Sequence, residues 1–167
     1  MTIEIRPVRP EEHVAAGGVT ALAYREFVRP GDTEWDEYLG HIADVEGRAG
    51  SATVLVAVED DRILGSATLE LDGRIDDDDP PLHPDEAHIR MLGVGPEARG
   101  RGVARALIDA CFTRAGEAGR AYVTLHTTQR MKAAQAMYAA LGFERLEDRV
   151  FPDGFVLLTY RRAIPPA

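Results

Sequence analysis

The stretch that most limits what this chain can become is Val94-Gly95-Pro96-Glu97-Ala98-Arg99-Gly100-Arg101-Gly102-Val103-Ala104. Before it, Ala87 to Val94 reads as a strand. After it, Val103, Ala106, Leu107, Ala110 and Cys111 recur at helical spacing. A strand, a glycine-rich turn and a helix in succession call for an α/β layer arrangement. Glycines let backbone amides approach a ligand, and the start of a helix carries partial positive charge. Arg99 and Arg101 stand beside it. The combination suits a phosphate or pyrophosphate; the plain alternative is a surface loop with flexible arginines. A P-loop is excluded, because no Gly-Lys-Ser/Thr exists in the chain. Gly93-Val94-Gly95-Pro96-Glu97-Ala98 formally satisfies a dinucleotide fingerprint. That fingerprint must open its helix directly, and here the helical pattern begins only near Gly102. The next strand, Tyr122 to His126, also ends in His rather than a ribose-binding carboxylate.

The remaining elements arrange themselves around this unit. Thr2 to Ile5 alternates polar and apolar as a first strand. Pro10 opens a helix with Glu11 and Glu12 in its first turn, running to about Val28 and ending near Pro30. Asp32 or Thr33 caps a second helix through Ala43 and Glu46, with Trp35, Leu39, Ile42 and Ala43 on one face. Ala52 to Val58 and Ile63 to Leu71 form a hairpin around Asp60-Asp61. Arg74 to Asp85, with Asp76 to Asp79 in a row, reads as a solvated loop; it lacks the ligand spacing of a calcium loop. The helix after Gly102 ends at Gly119. Thr127 or Thr128 caps a last helix that buries Met131, Ala134, Tyr138 and Leu141 and ends at Gly142. Phe143 to Leu146 and Phe155 to Tyr160 are final strands around Pro152-Asp153-Gly154. The order predicts an α/β domain with a mixed sheet.

Composition narrows the function. With 167 residues, the chain reads as a single domain, 1–167. Nucleic-acid binding needs a basic face, and a net charge of −9 makes this chain a poor candidate for it. Cys111 is the only cysteine, so an intrachain disulfide and Cys-rich zinc modules are excluded, and a reducing, cytoplasmic location fits. His13, His41 and His83 have no partner at metal-ligand spacing, so no metal is expected. No run approaches a membrane span, and Met1 to Pro7 lacks a signal-peptide apolar region. No G-x-S-x-G elbow is present. Cys111 sits in a helix's apolar series as an inert, buried thiol rather than a nucleophile.

Two blocks together resemble the GNAT N-acetyltransferases. Arg99-x-x-Gly102-x-Ala104 is similar to that family's R/Q-x-x-G-x-G/A acetyl-CoA signature, preceded by Ile89-Arg90-Met91-Leu92-Gly93-Val94 and Pro96. Ala136-Met137-Tyr138-Ala139-Ala140-Leu141-Gly142-Phe143 resembles its closing block. The resemblance covers Glu86 to Phe143 closely. It implies a mixed, mostly antiparallel central sheet flanked by helices, with the fourth and fifth strands splayed apart. It also implies direct transfer of acetyl from acetyl-CoA to a primary amine on a small molecule or peptide, in a ternary complex.

Under that resemblance, main-chain groups of Leu92, Gly93 and Val94 bond the pantetheine arm like an added strand. Arg99 and the amides of Gly100, Arg101, Gly102, Val103, Ala104 and Arg105 hold the pyrophosphate. A main-chain N–H of the fourth strand polarises the acetyl carbonyl. Tyr138 protonates the departing thiolate; read from the residues alone, on an apolar helix face, it is a core-facing ring. His88, His126 and Glu86 stand as alternative bases, a histidine's ordinary pKa near 6.5 suiting the task. Met131 takes the place where relatives carry a CoA-contacting asparagine. A homodimer is common in the family. The rival is a non-catalytic acyl-CoA-binding or sensing domain of the same fold. Negative charge tilts the acceptor towards a cationic amine.

Overall fold

The computed structural model describes residues 2–28, 31–75 and 79–166. Pro30, expected near the first helix's end, and Asp76, Asp77 and Asp78 of the acidic row lie outside the described residues. The chain divides into two compact units, Met1–Leu69 with Met91–Cys111, and Glu70–Arg90 with Phe112–Ala167. Among the described residues no helix is long and apolar enough to cross a membrane.

The first unit carries β1 (Glu4–Pro7), α1 (His13–Tyr24), α2 (Thr33–Ala43), α3 (Val45–Ala49), β2 (Thr53–Glu59) and β3 (Arg62–Glu70). β1 runs antiparallel to β2 from Glu4↔Val58 to Pro7↔Leu55, and β2 antiparallel to β3 from Thr53↔Leu69 to Glu59↔Arg62. Asp60 and Asp61 both take positive φ, 49° and 63°. A two-residue hairpin needs that pair of conformations, and a short carboxylate side chain tolerates them. The Val54–Val58 run is buried throughout, as a strand covered on both faces is. Val54, Val56 and Val58 pack with Ala16 of α1 and Val45 of α3. Ala21, Ile42 and Met91 form a second cluster, with Tyr24 and Leu39 against it. Of the α2 face expected to be apolar, Ile42 is fully buried, Trp35 and Leu39 half-buried, and Ala43 exposed.

Several boundaries differ from the sequence expectation: the first strand is Glu4–Pro7 rather than Thr2 to Ile5, and α1 gives way after Tyr24 to a 3-10 turn, Arg25–Phe27, instead of running to about Val28. Pro10–Glu12 forms a 3-10 turn, and α1 starts at His13. The cause is Glu12, whose carboxylate accepts from the Arg9 N–H at 2.9 Å and from both Arg6 guanidinium nitrogens at 2.8 Å. The second helix stops at Ala43 instead of reaching Glu46, because Asp44 leaves the helix and caps α3, accepting from the Gly47 N–H at 3.0 Å. Arg48, buried, donates to the terminal carbonyls of α2, His41 at 2.6 Å and Ile42 at 2.8 Å. At the other end of α2, Asp32 caps as expected, accepting from the Trp35 N–H at 3.3 Å.

The Arg6 hydrogen bond lowers the Glu12 pKa to about 2, against an opposing push from burial. A depressed acid contributes stability above its unfolded pKa, about 4.3, and loses it as pH falls through the folded value. Glu12→Gln is therefore expected to lower the urea midpoint at pH 6, with the gap to wild type closing between about pH 4.5 and 2. A gap independent of pH would contradict this.

At Gly17, α1 comes close to the end of α2: a Cβ there would run into the Ala43 carbonyl oxygen. Helix propensity alone favours Gly→Ala by about 1 kcal/mol. Overpacking costs about 1–3 kcal/mol. Gly17→Ala is therefore expected to destabilise in urea unfolding, while Gly18→Ala, whose Cβ meets nothing within 4 Å, stabilises.

β4 (Glu86–Val94) begins in the second unit and ends in the first, and α4 (Val103–Glu117) begins in the first and ends in the second. The second unit adds β5 (Tyr122–Thr128), α5 (Lys132–Ala140), β6 (Glu144–Arg145), β7 (Arg149–Val150) and β8 (Val156–Ala163). β4 and β5 are parallel, from Glu86↔Tyr122 to Ile89↔Leu125. β5, β6 and β7 each pair antiparallel with β8. The strand order is β1-β2-β3-β4-β5-β8-β6, with β7 on β8, a mixed and mostly antiparallel sheet as expected.

Thr127 and Thr128 do not cap α5. Both belong to β5, opposite Leu158 and Leu157, where β-branched residues fit the pleat. Met131 sits at the cap position without a side-chain bond, and Gln135 Nε2 donates back to the Thr128 carbonyl at 2.8 Å. The buried stripe of α5 is narrower than expected: Tyr138 is buried, whereas Met131, Ala134 and Leu141 are half-buried. β7 was not anticipated; two exposed residues show no periodicity.

Candidate functional site

In the first unit, the functional geometry begins inside β4. Met91 has φ 51°, a left-handed conformation within a strand, and is buried. That conformation costs an L-residue roughly 1–2 kcal/mol, and such outliers concentrate at functional positions. Nothing in a methionine announces it. Beyond Met91, the Leu92 carbonyl accepts from the Tyr24 hydroxyl at 3.1 Å. Gly93 and Val94 complete the strand, and Gly95 N–H donates to the Leu64 carbonyl at 2.8 Å.

The turn passes through a 3-10 segment, Pro96–Ala98, then Gly100 and Gly102, both at φ 77°. A Cβ at either glycine would meet no atom within 4 Å. The backbone conformation therefore requires glycine, and the space before it is open. α4 follows. Its first bond from an amide is Ala106 N–H to the Gly102 carbonyl at 3.0 Å, so the amides of Val103, Ala104 and Arg105 precede the ladder. A left-handed glycine pair leading into free helix-start amides is what an anion-holding turn needs.

The two arginines beside the turn are held rather than loose. Arg99 pairs with Glu26 at 2.9 Å and Arg101 with Glu59 at 2.5 Å. The Arg101 hydrogen bond keeps the Glu59 carboxyl below the usual range. Neither carboxylate is legible as a partner in the sequence, since each lies tens of positions away. Arg105 is exposed on the first turn of α4.

In the second unit, Glu86, His88 and His126 come together around a residue the sequence reading passed over. Thr124 Oγ1 lies 2.5 Å from Glu86 Oε2 and 2.8 Å from His88 Nδ1. The His88 and His126 rings stand 4.6 Å apart. Glu86 also accepts from the His83 N–H at 3.2 Å. His88 is 2% exposed and His126 half-buried. Burial first, then charge on His126 and on Arg90, holds the His88 pKa well below the ordinary imidazole value. The signal was present: alternation along a strand puts residues 122, 124 and 126 on one face.

Tyr138 is 6% exposed, its ring 5.8 Å from Phe143 and 5.6 Å from Tyr160. Burial, with the neighbouring Tyr160, pushes its hydroxyl pKa up, so the proton stays on at neutral pH. Tyr138 is thus a packed ring that also keeps a proton to give. Thr127 Oγ1, on the opposite face of β5 from His126, is buried with no hydrogen-bond partner among the described residues. Met131 precedes α5, and Cys111 is buried and free of any disulfide. No group of three potential metal-ligating side chains occurs among the described residues.

Comparison with known proteins follows the same residues. The family model described as Acetyltransferase (GNAT) family matches residues 18–143. The mouse protein named "Probable N-acetyltransferase family 8 member 5" is 36% identical over 67 residues, 40% of this chain and 30% of that protein. Mycothiol acetyltransferase of Kocuria rhizophila is 30% identical over 112 residues, 64% of this chain and 35% of that protein. The chain thus spans about a third of the length of these curated relatives. A Salmonella typhimurium protein solved with its cofactor acetyl-CoA superposes with a TM-score of 0.70 at 18% identity, covering 100% of this chain and 96% of that one.

Proposed function

The chain belongs to the acetyltransferase (GNAT) family, and from that premise we propose that it moves acetyl from acetyl-CoA to a primary amine, as a single catalytic domain in a reducing, cytoplasmic compartment. The observation that carries the proposal is the turn: two left-handed glycines with open space before them, leading into the uncommitted amides of α4. Arg99 and the Gly100–Arg105 main chain take the pyrophosphate, and the main chain of Leu92–Val94 takes the pantetheine arm.

In the reaction the amine nitrogen attacks the acetyl carbon, and the carbon–sulfur bond breaks. The amine proton passes to His126, the more accessible of the two paired rings. The thiolate receives a proton from Tyr138. Direct attack fits because Cys111, the only thiol in the chain, is buried within α4.

A thiol-release assay against a panel of primary amines, with mass spectrometry of the products, tests this. Acceptor-dependent thiol release with an acetylated amine is the expected result. Tight acetyl-CoA binding with no release on any amine would assign the chain to the non-catalytic, acyl-CoA-sensing reading instead.

A further inference from the structure

Thr124 occupies the centre of the second unit's polar cluster, and the count of its protons has a consequence for the base. A hydroxyl has one hydrogen to give. Glu86 Oε2, at 2.5 Å, is the nearest acceptor; the Ala87 carbonyl lies at 3.5 Å. Thr124 Oγ1 is the donor in that short bond. The Thr124 proton therefore goes to Glu86, and its oxygen is left to accept from His88. His88 Nδ1, 2.8 Å away, must then be the nitrogen that carries hydrogen. Its Nε2 is bare.

We propose that Thr124, anchored by Glu86, is a positioning residue for the base: it fixes His88 as the Nδ1–H tautomer beside His126, the half-buried ring of the pair, which takes up the proton. The inference rests on the acetyl-transfer reading for its kinetic part only. One proton moves, from the acceptor ammonium to the His126 imidazole, and nothing is oxidised or reduced. The charged and titratable groups around His88 are Glu86 and Arg90 on β4 and His126 on β5. Across β5, Arg161 of β8 stands opposite Thr124 and lies over the Tyr122 ring. His88 is sealed from solvent, so it tunes the half-buried His126 rather than meeting substrate.

Histidine nitrogen NMR on the full chain at pH 7 tests the tautomer without any substrate. The expected spectrum has His88 with hydrogen on Nδ1 and a bare Nε2. Thr124→Ser should keep that pattern, and Thr124→Val should lose it. Glu86→Leu, which removes the acceptor and so frees the Thr124 proton, provides a second route to the same loss if Thr124→Val does not fold. A wild-type His88 with hydrogen on Nε2, or an unchanged pattern in the folded Thr124→Val or Glu86→Leu variant, overturns the assignment.

The kinetic arm reads kcat against pH. Thr124→Val should lower kcat about tenfold and move the acid limb, with acetyl-CoA affinity unchanged and Thr124→Ser restoring both. Wild-type kcat and acid limb in Thr124→Val would overturn the base-positioning role. Failure of the wild type to acetylate any amine would strike the proposed function, while the NMR result would still decide the tautomer.

Discussion

Tyr138→Phe is expected to lower kcat about 100-fold while leaving acetyl-CoA affinity within about twofold. General-acid catalysis contributes about 10²–10⁴-fold, and the lower end applies because water can replace a lost hydroxyl in part. The ring is what packs: Tyr160 meets it edge-on and Phe143 at a tilt, and phenylalanine keeps that shape. Burial holds the proton on Tyr138 well above neutrality, so the hydroxyl is available as a donor rather than present as an anion. A kcat–KM comparison with calorimetric Kd for acetyl-CoA separates the roles. Equal turnover in wild type and variant would remove Tyr138 from the chemistry and leave it a packing residue.

Gly102→Val should weaken acetyl-CoA binding by at least about 100-fold. At φ 77° an L-residue is strained by roughly 1–2 kcal/mol, and a β-branched one more so. Relief of that strain turns the following amides away from the phosphates. A hydrogen bond to a charged group contributes about 1.5–3 kcal/mol, so two lost bonds amount to about 3–6 kcal/mol, enough for a 100-fold change in Kd. The space beside Gly102 is open, so no core is disturbed. Gly18→Ala, in α1 with open space and ordinary φ, is the control and should bind as wild type does. Wild-type affinity in Gly102→Val would mean that the turn does not hold the cofactor.

Periodicity and turn chemistry made most of the fold readable before the structure. The Asp60-Asp61 hairpin, the Asp32 cap and the strand–turn–helix unit each follow from local preferences. Local preference also misled. Thr127 and Thr128 are good caps in isolation, but pairing with β8 claimed them for β5. Asp44 was readable as part of a helix until its side chain became a cap for the next one.

The site was legible where chemistry demands a particular residue, as at Gly100 and Gly102. It was opaque where geometry arises from tertiary packing. Met91's left-handed backbone has no residue signature. Glu26 and Glu59 reach Arg99 and Arg101 from remote segments. Thr124 lay between the two: strand alternation placed it beside His126, but only the register with β4 put it between Glu86 and His88.

Titration of acetyl-CoA by calorimetry, with free CoA and NADH as comparison ligands, tests the central claim most directly. The turn predicts micromolar binding of acetyl-CoA and none of NADH. No binding of either CoA species would contradict the phosphate-holding turn and, with it, the proposed acetyl transfer.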